Sequence, residues 1–155
     1  MSIVRRQSVA VFADYHQFYV RDGGVNPPAP ENWTEEDLAN RSKVAENVIV
    51  VCPLRNMTVP VEISLHDSEP PPGEVSPDHL VECSLSLPTG HLQVHECTGG
   101  PVLNWEVNPG TYRVRLSYLG LSTIKANGLD GSDFYKVALW PGKQMELRVP
   151  TSWPQ

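Results

Sequence analysis

Between Asn56 and Tyr112 the chain has no lysine or arginine. The same stretch carries eight acids: Glu62, Asp67, Glu69, Glu74, Asp78, Glu82, Glu96 and Glu106. The flanking segments nearly balance, so this middle third accounts for the net charge of -6. Charge segregated in this way concentrates negative potential, which repels nucleic acid and attracts a basic surface. No basic patch interleaved with aromatics appears anywhere, and no glycine-rich phosphate loop, which argues against direct nucleic-acid or nucleotide binding.

Long apolar runs are also missing. No stretch approaches the roughly 18 residues that cross a bilayer. Near the N-terminus, Asp14, His16 and Gln17 interrupt the apolar run before a signal-peptide core can form. Cysteine is scarce: Cys52, Cys83 and Cys97 are odd in number, and each lies in or beside an alternating apolar run, as small buried hydrophobes do. These features predict a soluble, cytoplasmic protein in a reducing compartment. The Asn-x-Ser/Thr triplets at Asn32, Asn40 and Asn56 then read as chance matches. With 15 prolines and 11 glycines among 155 residues, long helices are excluded and many short elements are expected. Apolar residues at 40% and charged residues at 19% exclude a wholly disordered chain. The length fits one domain over 1–155 that needs no disulfide or metal staple.

What is present is period-two alternation. Val59, Val61, Ile63 and Leu65 share one face and Pro60, Glu62, Ser64 and His66 the other, the pattern of a half-buried strand. The pattern recurs over 81–87, 103–107, 112–118 and 145–149, and further strands are expected at 8–20, 47–52, 91–96 and 134–140. Turn residues separate them, among them Asn108-Pro109-Gly110, where proline and glycine suit a type II turn. About eight or nine short strands predict an all-β fold, an antiparallel β-sandwich or flattened barrel.

A single short helix is expected near 34–40. Thr34 can cap the free amides, Glu35, Glu36 and Asp37 occupy the positive first turn, and Asp37 can close a capping box. Trp33, just before the cap, is positioned to staple to Leu38 and seat the helix on the sheet. From Asp67 to Asp78 the run DSEPPPGEVSPD reads as a long acidic connection stiffened by three consecutive prolines.

Candidate catalytic or metal sites are sparse. His91 and His95 share a strand face, but a separation of four places them about 13 Å apart along an extended chain, too far for one ion without a bulge. Asp14 and His16 would share a strand face as a base and its orienter, yet no nucleophile accompanies them. Gly128 to Asp133 resembles part of a calcium loop but lacks the remaining ligands, so a turn is expected. Trp33, Trp105 and Trp140 read as core or rim residues, with Trp153 in a proline-flanked tail as an exception.

Several short motifs occur in a telling order. Tyr15-His16-Gln17-Phe18 precedes Pro27-Pro28, then Trp33-Thr34-Glu35-Glu36, then Arg55-Asn56-Met57-Thr58 ahead of the strand from Val59 to Leu65. Leu103 to Val107, Pro109-Gly110 and Tyr112 to Leu116 follow. This order resembles the competence protein J family of small bacterial nuclease inhibitors, over roughly residues 9 to 140, with Gly120 to Asp133 as a longer insertion. The resemblance implies a nuclease inhibitor or immunity-type antagonist, with no catalytic residues to carry over.

Together these readings predict a non-catalytic protein without cofactor or metal, whose partner is a basic protein such as a nuclease or toxin. Glu35, Glu36, Asp67, Glu69, Glu74 and Asp78 are the candidate contact residues, with Glu62 and Glu82 extending the patch. The rival expectation is a small-molecule or metal-binding β-sandwich enzyme using His16, His91 and His95.

Overall fold

Side chains alternate across a pleated strand, so a run with every second residue apolar buries one face and solvates the other. A computed structural model describes residues 3–154. Among the described residues eleven strands form: β1 (Ile3–Phe12), β2 (Phe18–Asp22), β3 (Ser42–Ala45), β4 (Val48–Val51), β5 (Thr58–His66), β6 (His79–Leu87), β7 (His91–Glu96), β8 (Pro101–Glu106), β9 (Gly110–Leu119), β10 (Phe134–Pro141) and β11 (Arg148–Thr151). The helix α1 spans Glu35–Asn40.

The strands form two sheets, β1-β5-β10-β9-β6-β11 and β3-β4-β2-β7-β8. The expected all-β sandwich is what forms, and the barrel alternative is not, because neither sheet closes on itself. Tyr112, Val114, Leu116 and Tyr118 of β9 join Tyr135, Val137 and Leu139 of β10 in one core cluster with Phe18, Val20, Ile49, Val51, Leu92 and Val94 of the other sheet. Each such fully buried aliphatic side chain contributes about 1.5–3 kcal/mol through removal of apolar area from water.

Strand number and direction differ from expectation at specific places. The expected strand over 8–20 is two strands in different sheets, broken by a 3-10 turn at Asp14–His16, so Asp14, His16 and Phe18 do not share a strand face. Strand β3 went unread because Ser-Lys-Val-Ala shows no apolar alternation; Ser42 is buried all the same, its hydroxyl donating to the Asn40 carbonyl. One ladder is parallel: β10 enters between β9 and β5, antiparallel to the first and parallel to the second. The last strand begins at Arg148, although Met145, Leu147 and Val149 keep the half-buried alternation read from the sequence.

Other local expectations meet a mixed outcome. Gly110, at φ 149°, opens β9 in place of the tight second position of a type II turn. Trp153 packs against the core, and its amide donates to His79 Nδ1 at 3.0 Å. All three cysteines are free thiols. Cys83 is fully buried, while Cys52 and Cys97 are only partly so. Burial pushes the Cys52 and Cys83 thiols up to about 12, which keeps both uncharged.

Candidate partner-binding surface

The acidic connection is placed by topology. Strands β5 and β6 lie on either side of the β10–β9 pair, so residues 67–78 must cross that pair to join them. Val114 and Leu116 point into the core, which turns Arg115 outward to meet the crossing chain. Its Nη1 donates to the Pro70 carbonyl at 3.0 Å, Nη2 reaches Glu69 at 3.2 Å, and the guanidinium lies 5.1 Å from the Trp140 ring centroid. One arginine thus pins the proline-rich connection to the outer face of the sheet.

That same face interleaves charges of both signs. Register places Ser64, Ala138, Arg115, Glu82 and Arg148 in one row across five strands. Glu82 lies 3.5 Å from Arg115 and accepts from Arg148 on β11, while Glu62 lies 3.7 Å from Arg6. Glu62 and Glu82 therefore have their charge answered within the sheet and do not extend a free acidic patch.

Of the six candidate contact residues, Glu69 is engaged by Arg115 with its side chain still 60% exposed. Asp78 is engaged too, accepting from the Leu121 amide at 2.9 Å. Glu74 and Asp67 lie exposed on the crossing connection. Glu35 and Glu36 are exposed on the first turn of α1. Glu35, Glu36 and Glu74 take no partner among the described residues. The two elements approach where His79, next to Asp78, donates from Nε2 to the carbonyl of Asn40 at the end of α1 at 2.8 Å.

Helix α1 has the expected capping box. Asp37 N–H donates to Thr34 Oγ1 at 3.1 Å and Thr34 N–H donates back to Asp37 Oδ2 at 3.0 Å. Lys43 Nζ reaches the same carboxylate at 2.5 Å, and this contact, with the Thr34 amide, holds the Asp37 carboxyl below the ordinary carboxylate range. The staple does not seat the helix: α1 buries no residue and Leu38 is 59% exposed. Capping and the Asp37–Lys43 pair hold it against β3 instead.

The turn between β1 and β2 holds two consecutive left-handed residues, Tyr15 (φ 59°) and His16 (φ 57°). For residues with a Cβ this conformation costs about 1–2 kcal/mol each. Neighbouring groups hold it in place. Asp14 Oδ1 accepts from the Tyr15 amide, Thr98 donates to Asp14 Oδ2 at 2.8 Å, and His16 Nδ1 donates to the Pro53 carbonyl at 3.2 Å. The result projects Tyr15, 69% exposed, away from the sandwich. Sequence reasoning missed this residue, although Asp14 and His16 breaking an apolar run was the available signal.

The rival histidines are not brought together. His16 binds the Pro53 carbonyl, His91 Nε2 pairs with Asn104 Oδ1 at 3.1 Å, and His95 Nδ1 donates to the Glu96 carbonyl at 2.7 Å. Among the described residues no three His, Cys, Asp or Glu side chains gather as metal ligands. Asp133, in the loop compared with a calcium site, is instead buried against Arg55, with Nε–Oδ1 at 2.5 Å. No helix of the described residues is long and apolar enough to cross a membrane.

No protein-family model matches the sequence, and comparison with curated proteins finds no significant match. Solved structures do match. The crystal structure of ComJ, inhibitor of the DNA-degrading activity of NucA, from Bacillus subtilis, superposes with a TM-score of 0.68 at 18% identity. The match covers 91% of this chain and 98% of that one. The chain has the ComJ fold. The protein described as crocagin biosynthetic gene J shares it, with a TM-score of 0.60 and 20% identity over 92% of this chain and 100% of that one. The ComJ match bears out the resemblance carried by Tyr15 to Phe18 and Trp33 to Glu36, and at these identities it speaks for architecture.

Proposed function

We propose that this chain is a non-catalytic antagonist of a nuclease or nuclease toxin, acting by covering its basic substrate cleft. The observation that carries the reading is the fold shared with ComJ, a nuclease inhibitor, across nearly the whole of both chains. The carboxylates left unanswered give the chemical reason: a nuclease cleft is basic because a phosphodiester backbone demands it, and carboxylates on a stiff scaffold can occupy it in place of phosphates. Contact is assigned to Glu35, Glu36, Asp67, Glu69, Glu74 and Asp78. Glu35, Glu36 and Glu74 offer unanswered charge, Glu69 shares its charge with Arg115, and Asp78 orients the end of the connection through the Leu121 amide.

The test is to titrate the purified chain into DNA-degradation reactions of NucA and of each non-specific nuclease encoded by its source organism. Saturable, stoichiometric inhibition of at least one is expected; full activity of all of them at micromolar chain overturns the reading. Joint substitution Glu35→Lys, Glu36→Lys and Glu74→Lys should slow association about tenfold at low salt and flatten its salt dependence. These three carboxylates hold nothing inside the fold, so the thermal midpoint should stay within a few degrees of the parent.

A further inference from the structure

Between the Asp14–His16 turn and α1 lies an open groove of about 500 Å³, lined by Tyr15, Trp33, Leu38, Pro53 and Leu54 among others. Two of these apolar side chains, Tyr15 and Leu38, are among the most exposed in the protein. Water-facing rings and leucines are ordinary singly, but here they converge on one concave site. The backbone that presents Tyr15 is held in a left-handed conformation by contacts to Thr98 and Pro53 from two other loops. The turn carries the chain from one sheet to the other, and it leaves the Tyr15 ring in solvent on a backbone already fixed at the groove.

The rim has a sign. Glu35 sits three residues before Leu38 and therefore on the same helical face, with Glu36 beside it. Arg41, which also lines the groove, is turned to the C-terminal tail, where Nη2 donates to the Pro154 carbonyl at 3.4 Å. His16 is tied to Pro53. A carbonyl does not neutralise a guanidinium, so Arg41 keeps its charge in the lining, and the two carboxylates of α1 outnumber it beside an apolar and aromatic floor. Phe12 and Met57, also exposed, continue this end of the sandwich through the Ala13 amide, which donates to the Met57 carbonyl at 3.0 Å.

We infer that the Tyr15–Leu38 groove is the anchoring pocket for the antagonised nuclease, taking an apolar or aromatic side chain flanked by lysine or arginine on the partner. The inference rests on the antagonist reading and adds the place where binding energy is concentrated. Tyrosine suits an anchor because it supplies a large contact area while ordering few torsions. Carboxylates on α1 steer and orient the encounter, and the groove sets how long the complex lasts.

The test compares Tyr15→Gly, Tyr15→Phe and Leu38→Ser with the parent against the nuclease that the parent inhibits. Tyr15→Gly removes the ring and tolerates the left-handed backbone, so its thermal midpoint should equal or exceed that of the parent while affinity falls at least about 30-fold, mainly in dissociation rate. Tyr15→Phe should stay within a few-fold of the parent, and Leu38→Ser should lose about tenfold. Unchanged inhibition by Tyr15→Gly overturns the inference, even where the three lysine substitutions do weaken binding and leave the antagonist reading standing. A lowered midpoint in Tyr15→Gly assigns the ring to folding and also overturns it. So does a shift in sedimentation between Tyr15→Gly and the parent, because the groove is then covered by a second copy of the chain. If the parent inhibits no nuclease, the antagonist reading fails first and the inference falls with it.

Discussion

Arg55 and Asp133, 78 positions apart in sequence, form a buried ion pair: Arg55 Nε lies 2.5 Å from Asp133 Oδ1, and the carboxylate is fully buried. Tyr135 donates its hydroxyl to the other carboxylate oxygen, Arg55 Nη1 donates to the Leu129 carbonyl at 2.9 Å, and the Leu54 amide donates to Tyr135 Oη at 3.1 Å. The pair therefore joins the segment before β5 to the long loop between β9 and β10. Burial and the Asp133 carboxylate push the Tyr135 hydroxyl upward, keeping it a donor at any ordinary pH.

Removing one partner leaves an uncompensated buried charge. Asp133→Ala or Arg55→Met should each cost about 3–5 kcal/mol in urea unfolding at pH 7, more than most single changes at the surface. The double substitution Arg55→Met with Asp133→Leu should recover part of that loss, because no charge is then stranded. If the double variant is less stable than both single variants, the pair matters for its geometry more than for its charge.

Asp22 is fully buried, and its carboxylate accepts from the amides of Gly24 (2.8 Å), Val25 (3.3 Å) and Thr89 (2.8 Å) and from the Thr89 hydroxyl. Burial alone would raise this acid, but the donors outweigh it and hold the carboxyl below its ordinary value. A depressed carboxyl adds stability above the unfolded value near 4, and that stability is lost as pH falls toward the folded value. Asp22→Asn keeps one accepting oxygen and loses the other, so it should cost about 1–3 kcal/mol near neutral pH, and the difference from the parent should shrink as pH falls below about 4. Acid unfolding of the two proteins checks both parts.

His79 is fully buried with both ring nitrogens assigned: Nε2 donates to the Asn40 carbonyl and Nδ1 accepts the Trp153 amide. Protonation would place a donor against a donor. Burial, with the Arg41 charge as a lesser cause, holds the imidazole below its ordinary value against the opposing pull of the Asn40 carbonyl. The Tyr118 ring, edge-on at 4.8 Å, adds no charge. Stability from this neutral ring is fully present above about pH 6.5 and drains as pH falls toward the lower folded value. The protection factor of the Trp153 amide should fall as pH is lowered from about 7 to about 5, and His79→Gln should flatten that response. His66, also depressed by burial, titrates in the same direction, so global stability should keep a residual slope in the variant.

Glu82 bridges Arg115 on β9 and Arg148 on β11 from a largely buried position. Among the described residues strand β11 pairs only with β6, and its register is broken, so this carboxylate is one of the few groups holding the edge. Glu82→Ala should cost about 1–3 kcal/mol and speed amide exchange along Arg148–Thr151 ahead of the rest of the sheet. Uniform acceleration across both sheets would mean that the edge does not open independently.

The fold was readable where one local rule governs. Strands such as Val59 to His66 and Tyr112 to Tyr118 alternate because one face is buried, and the Thr34–Asp37 box depends on residues three apart. Tyr15 and His16 were misread because the stretch from 8 to 20 is rich in strand-forming residues throughout, and only the switch between sheets forces the chain to turn at Asp14. The acidic segment was readable as charge and not as a surface, since the arginines that answer Glu62, Glu69 and Glu82 come from strands 33 to 66 residues away.

The sequence by itself determined the all-β class, most of the strands, the capped helix and the uneven distribution of charge, all of which follow from side-chain periods, turn chemistry or counting. Tertiary structure decided which carboxylates meet an arginine, that Arg55 meets Asp133, that His79 stays neutral, and that Tyr15 and Leu38 line one groove. Those relations depend on register and on the packing of two sheets, and register is set jointly by many distant residues, so no window of the sequence contains it.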